Sequence, residues 1–157
     1  MQRTPPTPPS STTRSRMQAQ ARHGTAPEVA LRRALFALGL RYRLHQRVPG
    51  APRRTIDVAF PRERVAVFVD GCFWHGCPEH TRATRVNTAW WEQKRAYNLA
   101  KDADTDNRLR DLGWVVVRCW EHQSLDEAAS HVARLVIARR RAILVGDDLQ
   151  SIDGGGG

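Results

Sequence analysis

A short apolar run that ends directly in a group of metal-binding side chains constrains this chain more than any other feature. Residues 65–69 read Val-Ala-Val-Phe-Val and lie between Pro61 and the turn-forming pair Asp70-Gly71. An apolar run of this length between turn signals is typical of a strand buried on both faces. Residues 70–80 then bring together an aspartate, two cysteines and two histidines. The sequence therefore predicts a core strand that leads into a functional site.

The composition restricts the class of protein and its partners. With 157 residues, the chain has room for one domain and its tails. No apolar run approaches the roughly 18 residues of a membrane span, and no secretory signal is present, so we expect a cytoplasmic protein without a membrane partner. A net charge of +9 predicts a polyanionic partner, of which nucleic acid is the commonest. The alternative is that the arginine excess reflects only a GC-rich genome.

Changes in composition divide the chain into an arm, a domain and a tail. Residues 1–22 are basic, rich in proline and without acidic residues, which predicts a flexible arm that orders on phosphates. Its cations include Arg14 and Arg16. Residues 23–141 form the predicted domain. Residues 142–157, which end in four glycines, are predicted to be a disordered tail.

Within the domain, the pattern predicts a helix, three strands, a long helix, a strand and a final helix. The expected ranges are 25–40, 42–48, 55–60, 65–69, 88–112 and 114–117, with the last helix beginning after Ser124. Thr25 with Glu28, and Ser124 with Glu127, have the spacing of capping boxes. This order of elements predicts an α/β domain with helices on both faces of a mixed sheet.

The cysteines and histidines after the core strand have the spacing of metal ligands. Cys72, Cys77 and His80 offer three ligands within nine residues, and a structural zinc site needs four. Cys119 or His122, which follow a neighbouring strand, can supply the fourth. The alternative is that the two cysteines of the cluster are simply buried thiols.

Two carboxylates and one histidine are candidates for catalysis. Asp57 lies between two apolar residues of a predicted strand, where a charge is unfavourable unless it binds something. Together with Asp70 it could hold Mg²⁺ at neighbouring strand ends, and a nearby histidine such as His75 could take a proton from water. The competing interpretations are a surface ion pair for Asp57, a loop residue for His75 and a helix cap for Glu28.

Two adjacent aromatic pairs, Phe73-Trp74 and Trp90-Trp91, lie in polar surroundings. Apolar side chains can wedge between base steps and unstack a duplex, although core packing is the ordinary role of a tryptophan. Because successive residues of a helix point in different directions, one of Trp90 and Trp91 is expected outside the core.

At these residues the chain resembles the very-short-patch repair (Vsr) family of DNA mismatch endonucleases. The central motif is FVDGCFWHGCPEH, and four further segments occur in the family's order: TAPEVALRRAL, TIDVAF, TAWWEQKRAYNLAKD and GWVVVRCWEH. The likeness extends over about residues 13–140. It implies a variant of the restriction-endonuclease-like fold, with a structural zinc. It also implies an enzyme that nicks DNA 5′ of the T in T:G mismatches left when 5-methylcytosine deaminates.

The resemblance also assigns roles at the active site. Asp57 matches the Mg²⁺ carboxylate, with the main-chain carbonyl of Val69 as the second ligand. His75 matches the catalytic histidine, and Glu28 matches a glutamate near the active site. Asp70 stands where some members carry a catalytic histidine, which leaves it as an extra metal ligand, a water positioner or neither.

The remaining matches concern zinc and DNA. In the zinc cluster, Cys72, Cys77 and His80 are joined by His122 rather than Cys119. The aromatic residues that intercalate beside the mismatch are matched by Phe73, Trp74 and Trp91, and a minor-groove wedge of the arm falls near Met17.

The sequence therefore predicts a Mg²⁺-dependent, zinc-containing mismatch endonuclease that acts as a monomer on double-stranded DNA in the cytoplasm, at the nucleoid. Two alternatives stay open, a non-catalytic zinc module that binds DNA and a sequence-specific endonuclease that needs no mismatch.

Overall fold

The computed structural model describes residues 24–80 and 87–153, and these form one layered α/β unit. In chain order the elements are α1 (Ala26–Ala37), β1 (Arg43–Val48), β2 (Ala51–Phe60), β3 (Val65–Asp70), α2 (Thr88–Asp111), β4 (Val115–Trp120) and α3 (Leu125–Asp153). This confirms the predicted order of elements. None of the helices in the described ranges combines the length and apolarity needed to cross a membrane.

The sheet is mixed, with the strand order β1-β2-β3-β4. β1 pairs antiparallel with β2, β2 pairs antiparallel with β3, and β3 pairs parallel with β4. On one face, α1 and α3 pack against each other and against apolar residues of the strands. On the other face, Leu109 of α2 packs on a second apolar cluster. The predicted mixed sheet between two helical layers is therefore confirmed, and such a sheet fits a restriction-endonuclease-like fold.

The apolar run of β3 forms the centre of this sheet, as expected. Val65, Ala66 and Val67 are fully buried, and alternate residues contribute to the clusters on the two faces. Because β3 and β4 run parallel, their carboxyl ends meet, and Asp70 lies opposite Trp120. The segments that follow the two strands are therefore held side by side at one end of the sheet.

The helix ends differ in part from the predictions. Thr25 makes no side-chain capping bond, and Glu28 instead accepts a hydrogen bond from the Gly24 amide at 2.7 Å, so the first predicted capping box is wrong. Gly39, with a φ of 79°, lies just beyond α1, which ends earlier than predicted. At the start of α3, the Glu127 amide donates to Ser124 Oγ at 3.4 Å.

The last helix is longer than expected. α3 continues to Asp153, so a helix is present over much of the segment, residues 142–157, that we predicted to be a disordered tail. β2 is also longer, because it begins directly after the Pro49-Gly50 turn.

Candidate active site

Asp57 lies where β2 and β3 separate. The pairing of these strands extends from Phe60 to Val58, and Asp57 is the next residue. At this position the contact between the strands is made by the Asp57 side chain, because Oδ2 accepts a hydrogen bond from the Val69 amide at 2.9 Å. The structure thus brings Asp57 and the Val69 backbone together, as a shared metal site requires.

Burial sets the electrostatics of Asp57. Desolvation raises the pKa of this carboxyl to about 6, and the hydrogen bond from Val69 opposes that rise. The negative charges of Glu28 and Asp70 contribute to the same net rise in the pKa. Glu28 is itself buried at the start of α1, close enough for its charge to act on the Asp57 carboxyl. A desolvated carboxylate with acidic neighbours favours a cation.

His75 is held by a residue that sequence analysis missed. Its Nδ1 lies 2.5 Å from Oδ2 of Asp102 on α2 and 3.8 Å from Oδ1 of Asp70. Desolvation lowers the pKa of the imidazole, but the hydrogen bond with Asp102 and the charges of both aspartates outweigh it, so the pKa is raised overall. With Nδ1 engaged, Nε2 is the nitrogen left to exchange a proton with a substrate or water. In the sequence, Asp102 could have been suspected because it lies on a long helix with weak apolar periodicity, one face of which is free to contact a ligand.

Asp70 is bound by an arginine that the sequence did not single out. Both carboxylate oxygens accept hydrogen bonds from one terminal nitrogen of Arg118, at 2.8 and 2.9 Å. Burial raises the pKa of Asp70, and Arg118 and His75 oppose that rise. Asp70 is therefore part of an ion pair, whereas Asp57 has a single hydrogen bond from the backbone.

The predicted zinc ligands form a compact cluster. One ligand atom from each of four residues lies within 4.8 Å of the others, and these residues are Cys72, Cys77, His80 and His122. Nδ1 of His122 is 3.0 Å from Cys72 Sγ and 3.8 Å from Cys77 Sγ. Bond lengths of 2.0–2.3 Å in a tetrahedral site imply ligand separations of about 3.3–3.8 Å. The 3.8 Å separation lies within this range and the 3.0 Å separation is slightly shorter, so a small movement of the side chains lets this donor set fit zinc.

Of Cys119 and His122, the two candidates for the fourth metal ligand, the fold brings His122 to the cluster. Cys119 is buried in the apolar layer beneath α1 and α3, where desolvation raises the pKa of its thiol to about 11. Nε2 of His122 faces Glu79 Oε2 at 3.5 Å, the kind of outer carboxylate partner that orients a metal-binding histidine.

The aromatic residues form a cluster beside the histidine. The ring of Phe73 lies 5.3 Å from that of Trp74 and 5.0 Å from that of Trp91. The amide of Asn98 on α2 donates to the Trp74 carbonyl at 3.0 Å and so ties the loop to the helix. Trp91 is buried and Trp90 is only half-buried, which confirms that one of the pair lies outside the core. The three predicted intercalating residues are therefore brought together.

Some of the candidate DNA contacts cannot be placed. Arg14, Arg16 and Met17 lie outside the described residues. Their roles stay predictions.

Comparison with known proteins shows which family this chain resembles. The family model described as DNA mismatch endonuclease Vsr matches residues 9–81. Type II nicking enzyme V.NaeI of Lentzea aerocolonigenes is 44% identical over 118 residues, which cover 74% of this chain and 71% of the relative. Type II nicking enzyme V.NmeDIP of Neisseria meningitidis serogroup C is 40% identical over 109 residues, 68% of this chain and 71% of the relative.

A third relative carries the family name itself. DNA mismatch endonuclease Vsr of Escherichia coli K12 is 35% identical over 114 residues, 69% of each chain. Together with the fold and the site, these similarities define the protein as a DNA endonuclease. The chain belongs to the Vsr family. The alternative of a non-catalytic zinc module is therefore wrong.

Proposed function

We propose that this endonuclease nicks one strand of duplex DNA 5′ of the T in T:G mismatches that arise when 5-methylcytosine deaminates. The family description names a mismatch endonuclease, and curated relatives are named nicking enzymes. The observation that carries the proposal is the placement of Asp57, the His75–Asp102 pair and the aromatic cluster at one end of the sheet. Groups for hydrolysis and for unstacking bases can thus reach the same stretch of DNA.

Asp57 and the main-chain carbonyl of Val69 are the proposed Mg²⁺ ligands, with Glu28 beside them. Mg²⁺ prefers oxygen ligands, and the carboxylate of Asp57 is desolvated and adjoins the Val69 backbone. When bound, the ion would polarise the scissile phosphate and lower the pKa of a water molecule. The Val69 carbonyl belongs to strand β3 and the Asp57 carboxylate is held by the Val69 amide, so both ligands need little rearrangement to bind the ion.

His75 is the proposed general base. Its Nδ1 is held by Asp102, so Nε2 can accept a proton as the oxygen of water forms a bond to phosphorus. The bond from phosphorus to the 3′ oxygen or the 5′ oxygen of the adjacent sugar breaks in the same reaction, and the leaving oxygen takes up a proton. A second nearby carboxylate, Asp70, favours the imidazolium that forms.

Phe73, Trp74 and Trp91 are the proposed wedge that opens the duplex. A mismatched step is already poorly stacked, so deforming it costs less free energy than deforming a matched step, and this difference is a source of selectivity. The basic arm, which includes Arg14, Arg16 and Met17, is proposed to add contacts to phosphates and to the minor groove. Its contribution should fall as salt rises.

Zinc is proposed to bind the Cys72, Cys77, His80 and His122 cluster in a structural role. The cluster joins the loop after β3 to the loop after β4, and the Cys72 amide donates to Glu121 at 2.8 Å across the same junction. His75 and the aromatic residues lie on the first of these loops, so zinc would fix their positions. We also propose that the protein acts as a monomer in the cytoplasm, at the nucleoid.

The test is nicking of strand-labelled duplexes that contain T:G, T:A or C:G at one position in varied sequence contexts, with and without Mg²⁺. Wild type, Asp57→Ala and His75→Ala are compared with Asp104→Ala, which removes a partly exposed carboxylate of α2 paired with Arg108. We expect wild type and Asp104→Ala to make a Mg²⁺-dependent nick 5′ of the mismatched T, and we expect Asp57→Ala and His75→Ala to lose it. Equal nicking of the matched duplexes would instead favour the sequence-specific endonuclease.

A further inference from the structure

Arg118 lies between the two elements that carry the catalytic candidates. It is on β4, directly opposite Phe68 of β3, and its guanidinium lies over the Phe68 ring at 4.5 Å from the ring centroid. Its side chain is 23% exposed. The charged end therefore sits between the sheet and α2.

The guanidinium contacts three carboxylates from two different elements. It donates to Asp70 at the end of β3 and to Asp106 on α2, with shortest distances of 2.8 Å in both cases. A terminal nitrogen also lies 3.6 Å from Oδ1 of Asp102, whose other oxygen holds His75. Asp102 and Asp106 are four residues apart and so share one face of α2. Arg118 thus ties that face of the helix to the carboxyl end of β3.

The carboxylates at this point have Arg118 as their main cationic partner. Asp70 and Asp106 are both buried, and in the described ranges their other contacts with cations are an exposed one between Arg110 and Asp106 and one at 3.8 Å between His75 and Asp70. Without Arg118, like charges on β3 and α2 would repel each other in a low-dielectric environment. The distance between β3 and Asp102 therefore depends on the guanidinium.

We propose that Arg118 is a positioning residue of the active site, which holds Asp102 and Asp70 so that Asp102 keeps the His75 ring in its catalytic orientation and tautomer. The inference rests on the proposed role of His75 as the base. It also assigns Asp70, since both of its oxygens are bound to Arg118, to this network rather than to the metal. The planar fork of an arginine suits the task because it can bond several carboxylates in fixed directions.

The first test separates the rate of nicking from the affinity for DNA. Arg118→Met should lower the single-turnover nicking rate on a T:G duplex on the order of tenfold to a hundredfold, with the Kd for the duplex unchanged. Arg108→Met is the matched control, because it removes an arginine that pairs with Asp104 on the outer part of α2. The control should nick at the wild-type rate.

The second readout is the tautomer of His75, which a purely structural role would leave unchanged in a folded variant. Nitrogen chemical shifts of the ring, measured at alkaline pH and assigned with His75→Ala, should show the proton on Nδ1 in wild type. In Arg118→Met the proton should shift towards Nε2, because Asp102 no longer holds its position.

Arg118→Met leaves two buried carboxylates without their main partner, so the variant with Asp70→Asn added provides a second form with one less unpaired charge. This double variant should fold and should still nick the T:G duplex more slowly than wild type. A folded Arg118→Met or double variant with the wild-type rate and tautomer would overturn the inference. If His75→Ala itself nicked normally, the proposed base would be wrong, which is a different result from failure at Arg118 alone.

Discussion

Replacing Asp57 by asparagine should stabilise the fold while abolishing catalysis. The amide has the size of the carboxylate and keeps an oxygen that can accept the hydrogen bond from the Val69 amide. It removes a charge whose burial is unfavourable, as the rise in the pKa of Asp57 from 3.8 to about 6 indicates. A difference of about two pKa units corresponds to about 3 kcal/mol of stability at pH 8.

The sign of the pH dependence follows from this shift. Because the folded-state pKa is raised, the stability that comes from protonated Asp57 is fully present below pH 3.8 and is lost as pH rises through about 6. Asp57→Asn does not undergo this loss. The difference in the free energy of unfolding between Asp57→Asn and wild type should therefore be largest at pH 8 and fall to about half of that value at pH 5.

The assay is urea unfolding of both proteins from pH 5 to pH 8, in buffer without Mg²⁺ and without a chelator that would remove the proposed zinc. Adding Mg²⁺ should then stabilise wild type and leave the variant unchanged, because a ligand stabilises only the state that binds it. Asp104→Asn is the control, since its arginine partners lower the pKa of that exposed carboxyl. A constant or absent advantage of Asp57→Asn across the pH range would refute the reasoning.

Four further substitutions, of which Cys119→Ser is a control, test the remaining parts of the site. Cys77→Ser should abolish zinc binding, measured by native mass spectrometry, and lower the Tm, whereas Cys119→Ser should keep the zinc because that thiol lies in the apolar core. Retention of zinc by the first variant would contradict the cluster. Asp102→Asn should lower the single-turnover nicking rate about 10²- to 10⁴-fold with unchanged Kd, and an unaltered rate would remove Asp102 from catalysis. Trp74→Ala should reduce unstacking beside the mismatch, reported by 2-aminopurine fluorescence, and slow nicking of T:G duplexes. Full unstacking in that variant would rule out the proposed wedge.

Much of the fold could be predicted because its signals are local. The apolar run of residues 65–69, the turn residues around it and the stop signals at Gly39 and Gly113 mark elements within a few residues of each boundary. The cap at Thr25 was mispredicted since Glu28 bonds the Gly24 amide, a choice between adjacent amides that sequence spacing does not resolve. The extent of α3 was underestimated because Gly146 does not interrupt it.

The sequence by itself determined the order of the elements and the chemistry concentrated after β3, because Cys72, Cys77 and His80 lie within one turn-rich segment. Only the tertiary structure decided their partners. His122 joins the cluster, and Asp102 and Arg118 flank His75 and Asp70, across 27 to 50 residues of sequence. Parallel pairing of β3 and β4 brings His122 and Arg118 to the end of β3, and the packing of α2 brings Asp102 there. The alternation of β4 turns Cys119 into the core. Such contacts depend on how strands and helices pack, and no local pattern encodes them.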